Sequence, residues 1–181
     1  MFGKMNIPSR HAMRILCFLG RNYMEKYHTR EIVRQLNLSL GTASKNLRIL
    51  EEEELIIKEN LGRLTIYQAN MENPLLKELK IVFTLMEIDG LIKELKEFSS
   101  KIILFGSCAT GEDRQESDID LVVLTGDIRH ANKLVEKHQM DISRKISPII
   151  MEEVEFRHLK KEDKPFYSRV MKGRTLYEIS V

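Results

Sequence analysis

The chain has 181 residues, 43% hydrophobic and 31% charged, with a net charge of +2. This composition excludes a disordered tail and a membrane-spanning protein, since no apolar run approaches the ~20 residues of a span, and it predicts a soluble globular protein of one ordinary domain or two small ones. Two cysteines, Cys17 and Cys108, fall in different contexts, so neither a disulfide framework nor a zinc site is expected, and the reducing cytoplasm is the expected compartment.

Taken in order, residues 9–27 open with Ser9 as an N-cap and place Ala12, Ile15, Leu16, Leu19 and Tyr23 at the three/four spacing of an amphipathic helix. Thr29 is the expected cap of a short helix through Leu36, and Asn37-Leu38-Ser39 breaks it. A third helix is expected from about Leu40 to Glu54, with Ala43, Leu47 and Leu50 on one face. Leu55–Lys58 reads as a strand, 59–63 as a turn carrying Asn60 and Gly62, and Leu64–Gln68 as the returning strand. No apolar stretch of signal-peptide length opens the chain.

Asn73-Pro74 marks a boundary, because proline suits a helix's first turn and disfavours helix just before it. The apolar residues of 75–98 predict one long helix, or two meeting near Asp89-Gly90, with a face wide enough for a core or a dimer seam. Lys101–Phe105 and Leu121–Leu124 are runs of buried-strand length. A helix is expected over about Ile128–His138, a strand over Ile146–Met151, two short helices over about 152–171 and a last strand over Thr175–Ile179. The expected fold class is α/β (α+β), divided as 1–72, a connecting helix or helices over 73–99, and a small mixed-sheet domain over 100–181.

The chemistry lies in Ile103-Leu104-Phe105-Gly106-Ser107 and Ser117-Asp118-Ile119-Asp120-Leu121. Gly106 ends a strand where the backbone must approach something bulky. The residues after it offer backbone N–H groups and the Ser107 hydroxyl to phosphate oxygens. Asp118 and Asp120 alternate along a strand, so both carboxylates share a face, and two such hard oxygen ligands suit Mg2+ beside substrate phosphates. Gly-Ser, a spacer of ten residues (108–117) and Asp-x-Asp together resemble the minimal nucleotidyltransferases of the DNA polymerase beta superfamily, from about Lys101 onward. The resemblance implies Gly106 and Ser107 as nucleotide-binding residues and Asp118 and Asp120 as metal-binding, catalytic ones. Mg2+ would hold an NTP whose α-phosphate is attacked by an acceptor hydroxyl. Active members of the family carry a third carboxylate on the next core strand, and the matching position here is Ser147. That departure implies impaired catalysis with nucleotide and metal binding retained.

Helix, helix, turn, helix and hairpin is the order of a winged helix-turn-helix, whose second motif helix typically enters the major groove. That helix would begin at Ser39 or Leu40 and show Thr42, Ser44, Lys45 and Arg48, with Arg63 at the wing tip. The string from Ser39 to Leu50, followed by Glu54-Leu55-Ile56, is similar to MarR-like and ArsR-like repressors over residues 9–70. Residues 1–72 hold 11 Lys/Arg against 8 Asp/Glu, and four of those acids are the run Glu51–Glu54, which is expected to point away from a phosphate-facing side. The expected partners are double-stranded DNA, a nucleotide and a second copy of the chain, with no membrane. Two functions follow from these resemblances. One is a DNA-binding transcriptional regulator with a nucleotide-binding domain. The other is an active nucleotidyltransferase that modifies a protein or small-molecule hydroxyl, as an antitoxin would.

Overall fold

The computed structural model describes residues 9–62 and 64–179. The chain divides into two compact units, Met1–Lys80 and Ile81–Val181.

The first unit runs α1 (Arg10–Arg21), β1 (Tyr27–His28), α2 (Thr29–Leu36), α3 (Leu40–Glu52), β2 (Ile56–Leu61) and β3 (Leu64–Ala69). Ser9 caps α1 as its position suggests, its side chain accepting from the Ala12 N–H. The cap of α2 is His28, not Thr29. Its Nδ1 accepts from the Glu31 N–H at 3.2 Å, and the Glu31 carboxylate accepts from the His28 N–H at 3.0 Å, a reciprocal capping box that leaves Thr29 inside the first turn. Ser39 caps α3. The apolar faces meet in one core of Ala12, Ile15, Leu16, Leu19, Ile32, Ala43, Leu47 and Leu50, closed by Leu55, Ile56 and Tyr67. The hairpin extends further than expected, to Leu61 opposite Leu64. Its second strand also pairs with β1, giving a three-stranded antiparallel sheet in the order β1-β3-β2. Two residues, Tyr27 and His28, are too short a run for periodicity to reveal, so this strand was not expected. The unit has the architecture of a winged helix.

Helix α4 (Pro74–Leu95) is continuous, with no break at Gly90. The second unit then follows as β4 (Ser99–Phe105), α5 (Ser107–Thr110), β5 (Ile119–Thr125), α6 (Ile128–Gln139), β6 (Ile146–Met151), α7 (Glu153–Glu162), α8 (Lys164–Met171) and β7 (Arg174–Glu178). The sheet order is β6-β5-β4-β7, with β5 and β6 parallel across α6 and the other pairs antiparallel, so the sheet is mixed. Its two central strands, β4 and β5, are apolar on both faces. Ile102, Leu104, Ile119, Leu121, Val123 and Ile146 pack with α4 and α6. Ile103, Phe105, Val122 and Leu124 pack with Phe156 of α7 and Val170 of α8. Burial on both sides explains why β4 and β5 read as continuous runs and not as alternation. Among the described residues, no helix is long and apolar enough to cross a membrane.

Candidate functional site

The period-2 alternation of β5 places Asp120 on the same face as Val122 and Leu124, the face that α7 and α8 cover. Asp120 stands at the mouth of that layer, half-buried, opposite Phe105 on one neighbouring strand and Ser147 on the other. Asp118 lies just before β5 begins at Ile119. The two aspartates are brought together: burial first, and then the charge of Asp118, push the Asp120 carboxyl above the ordinary carboxylate range, against the opposing influence of Arg169 and Lys145.

Gly106 takes φ 69° between β4 and the four-residue α5. A Cβ there would collide with Asp120 Oδ2. Glycine therefore serves both the left-handed turn and the close approach of the carboxylate. Ser107 opens α5 beside it, and Gly106, Ser107, Glu112, Arg169, Lys172 and Gly173 line a cavity of about 320 Å³. The Arg169 guanidinium lies over the Phe105 and Phe166 rings, 5.7 and 5.5 Å from their centroids, which holds a cation near the Gly-Ser turn. A larger cavity of about 540 Å³ opens at the opposite end of β4 and β5, beside Ser99, Thr125 and Tyr177. It does not contain the turn; the smaller cavity does, and Asp120 reaches it only through its close approach to Gly106.

Lys145 belongs to no motif in the sequence. Its Nζ lies 3.1 Å from Asp118 Oδ2, and its carbonyl accepts the Ile119 N–H at 2.8 Å. The residue before it, Arg144, is buried, although arginine is seldom fully buried unless paired. Its guanidinium donates to Asp113 Oδ2 (2.8 Å), Glu87 Oε2 (2.9 Å), Thr84 Oγ1 (2.9 Å) and Cys108 Sγ (3.4 Å). Cys108 Sγ in turn donates to the Asp118 carbonyl at 3.3 Å. Burial, partly offset by Arg144, raises the Cys108 thiol, so this cysteine is a packed donor and not a nucleophile. One buried guanidinium thus ties α4, α5, the loop before Asp118 and the start of β6 into a single frame. Four separate stretches of sequence contribute, so no local motif could have revealed it.

Phosphoryl chemistry with two divalent metals uses a set of anionic donors. The residues here do not supply that set. Ser147, and not a carboxylate, stands beside Asp120, and Asp118 already faces an ammonium. Glu152 lies past the far end of β6, in the capping box of α7. Asp141 is exposed ahead of β6, and Asp113 is committed to Arg144. Among the described residues, no group of three or more His, Cys, Asp or Glu is arranged to hold a metal ion.

In the first unit, Ser44, Lys45 and Arg48 are exposed on α3. The Ser39 hydroxyl donates to Thr42 Oγ1 at 2.8 Å, and Thr42 is only half exposed. Asn46, missed in the sequence, is buried and joins Ser9 to the Thr42 carbonyl, fixing the start of α1 against α3. The acidic run is not wholly averted from this face. Glu52 reaches Arg48 one turn back at 3.3 Å, as the i,i+4 spacing dictates, while Glu51 pairs with Lys58. Arg63 lies outside the described residues.

Several solved structures are weakly similar to part of this chain. Reduced HlyU from Vibrio cholerae is 19% identical over 42% of this chain and 77% of that one, with a TM-score of 0.36. A variant of ZitR from Lactococcus lactis in complex with DNA is 20% identical over 54% and 68%, at 0.39. The adhesin competence repressor AdcR from Streptococcus pyogenes is 15% identical over 53% and 71%, also at 0.39. The winged helix rests on the element order of the first unit, and these weak likenesses add nothing to it. No curated protein matches the chain. The family described as Polymerase beta, Nucleotidyltransferase matches residues 87–180, just over half of the chain and including both Gly106-Ser107 and Asp118-x-Asp120. By that match the chain belongs to the polymerase beta nucleotidyltransferase family.

Proposed function

We propose that the protein is a DNA-binding transcriptional regulator whose nucleotidyltransferase-fold unit senses a nucleotide instead of turning it over. The observation that carries this reading is the register of β5 and β6, in which Asp120 is flanked by Ser147. Serine is neither an anionic metal ligand nor a competent base for the acceptor hydroxyl, whereas Gly106, Ser107, Arg169 and Lys172 still form a cavity suited to phosphates. The winged helix supports the DNA half of the reading. Exposed Ser44, Lys45 and Arg48 project from its second motif helix, where a major-groove reader needs them. From its sequence position alone, Arg63 is read as a backbone or minor-groove contact. The same reading takes the protein to be a homodimer, because two half-sites need two reading helices, and to work in the cytoplasm. Val82 and Met86, exposed on α4, are a candidate seam.

A second reading is an active enzyme transferring a nucleotidyl group from an NTP to a protein or small-molecule hydroxyl, in an antitoxin-like role. The intact Gly106 cradle for Asp120 favours it. Incubation of the pure protein with each labelled NTP and Mg2+ separates the two. The regulator reading expects no label transfer, and specific DNA retention that survives Asp118→Asn and Asp120→Asn but is lost in Arg48→Ala. Transfer that disappears in the two aspartate variants would establish the enzyme. DNA selected from a random pool and bound equally well by Lys45→Ala and Arg48→Ala would remove the regulator.

A further inference from the structure

We propose that Lys145 takes the place of a divalent cation at Asp118, so that the Gly106-Ser107 site binds nucleotide phosphates without Mg2+. This inference rests on the nucleotide-binding reading above and names the condition under which that site is loaded.

A pair of carboxylates beside a phosphate cradle repels the ligand unless a cation lies between them. In phosphoryl-transfer sites generally, the metal supplies that charge. Here a cation is already covalently present. Lys145 Nζ is 3.1 Å from Asp118 Oδ2, and both Lys145 and Arg169 act electrostatically on Asp120. Lys172 lies with Arg169 along the wall of the cavity. Three side-chain cations therefore balance the carboxylates of Asp118, Asp120 and Glu112, and the repulsion an incoming phosphate would meet is offset without a metal.

Position reinforces this. The Lys145 side chain is 71% exposed, and an exposed ion pair alone contributes little to stability. Its root, however, is held firmly. The Lys145 carbonyl is bonded to the Ile119 N–H, and its buried neighbour Arg144 is locked by Asp113, Glu87, Thr84 and Cys108. The ammonium is thus placed at Asp118 by the fold yet remains free to turn towards a phosphate oxygen. With Ser147 in the third position, the remaining donors favour this internal cation over an incoming metal. The cavity, about 320 Å³, suits the phosphate and ribose end of a nucleotide.

The test uses the full chain and fluorescently labelled ATP and GTP, titrated by anisotropy in EDTA and in Mg2+. The two buffers should give affinities within about threefold of each other for the nucleotide that binds. A charge-assisted contact predicts that Lys145→Ala weakens binding in EDTA about tenfold or more. Added Mg2+ should recover much of that loss, because Asp118 is then vacant, and Lys145→Arg should bind as the parent does. Thermal melts establish that each variant is folded. Binding by the parent only in Mg2+ would overturn the inference while leaving the nucleotide-binding reading intact. So would an undiminished affinity of Lys145→Ala in EDTA. No binding of either nucleotide in either buffer would bring down both.

Discussion

At Asp120, function and stability pull in opposite directions. Burial, and then the charge of Asp118, hold its carboxyl above the usual range. The unfolded chain therefore releases this proton at a lower pH than the native one does, and stability falls as pH rises through the interval between the two values. Asp120→Asn is expected to raise the melting temperature at neutral pH, and the gain should vanish below about pH 4, where Asp120 is protonated in both states. Melts across a pH series check both the sign and the window. At Gly106, alanine would meet both a left-handed φ and the Asp120 carboxylate. Gly106→Ala should cost about 1–3 kcal/mol and abolish nucleotide binding, read by urea denaturation and anisotropy. Arg144→Met leaves Asp113 buried without its countercharge, which should destabilise the fold by about 3–5 kcal/mol. Pairing it with Asp113→Leu should recover most of that stability in the same denaturation experiment.

Among the elements, the legible ones were those whose signal is local. Ser9 caps α1 as its position suggests, α3 starts next to Ser39 as expected, and β6 and α6 begin where the pattern changes. The start of α2 differs from the expectation because histidine is an unusual cap; only the reciprocal bond with Glu31 reveals it. His28→Ala should destabilise the first unit by about 1 kcal/mol, measurable as a shift in the urea midpoint. Helix α4 stayed whole where two helices were an option. A single glycine in a helix costs only about 1 kcal/mol, and Ile88, Leu91, Ile92 and Leu95, fully or nearly buried on either side of Gly90, outweigh it.

For the whole molecule, the reading predicts salt-dependent DNA binding. Removing one phosphate-binding cation should reduce the slope of log affinity against log salt by about one. If Lys45 binds a phosphate, Lys45→Ala lowers that slope and weakens all sequences alike. If Arg48 reads a base, Arg48→Ala costs about 1–3 kcal/mol and relaxes specificity at one position. Footprinting and salt titrations on a selected operator distinguish these roles. By itself, the sequence determined the order of the longer helices and strands, though not β1 or the four-residue α5, together with the winged helix, the mixed α/β unit and the Gly-Ser and Asp-x-Asp pairing. Those signals are carried by spacing along the chain, which short-range periodicity and capping chemistry make readable. The resemblance also implied Ser147 in place of a third carboxylate, and the register sets Ser147 beside Asp120. Only the tertiary structure decided what surrounds the pair. The ammonium of Lys145 on Asp118, the guanidinium of Arg169 over two rings and the buried Arg144 frame join residues far apart in the chain. Pairings of that separation depend on strand register and helix packing, and neither has a signature in adjacent residues.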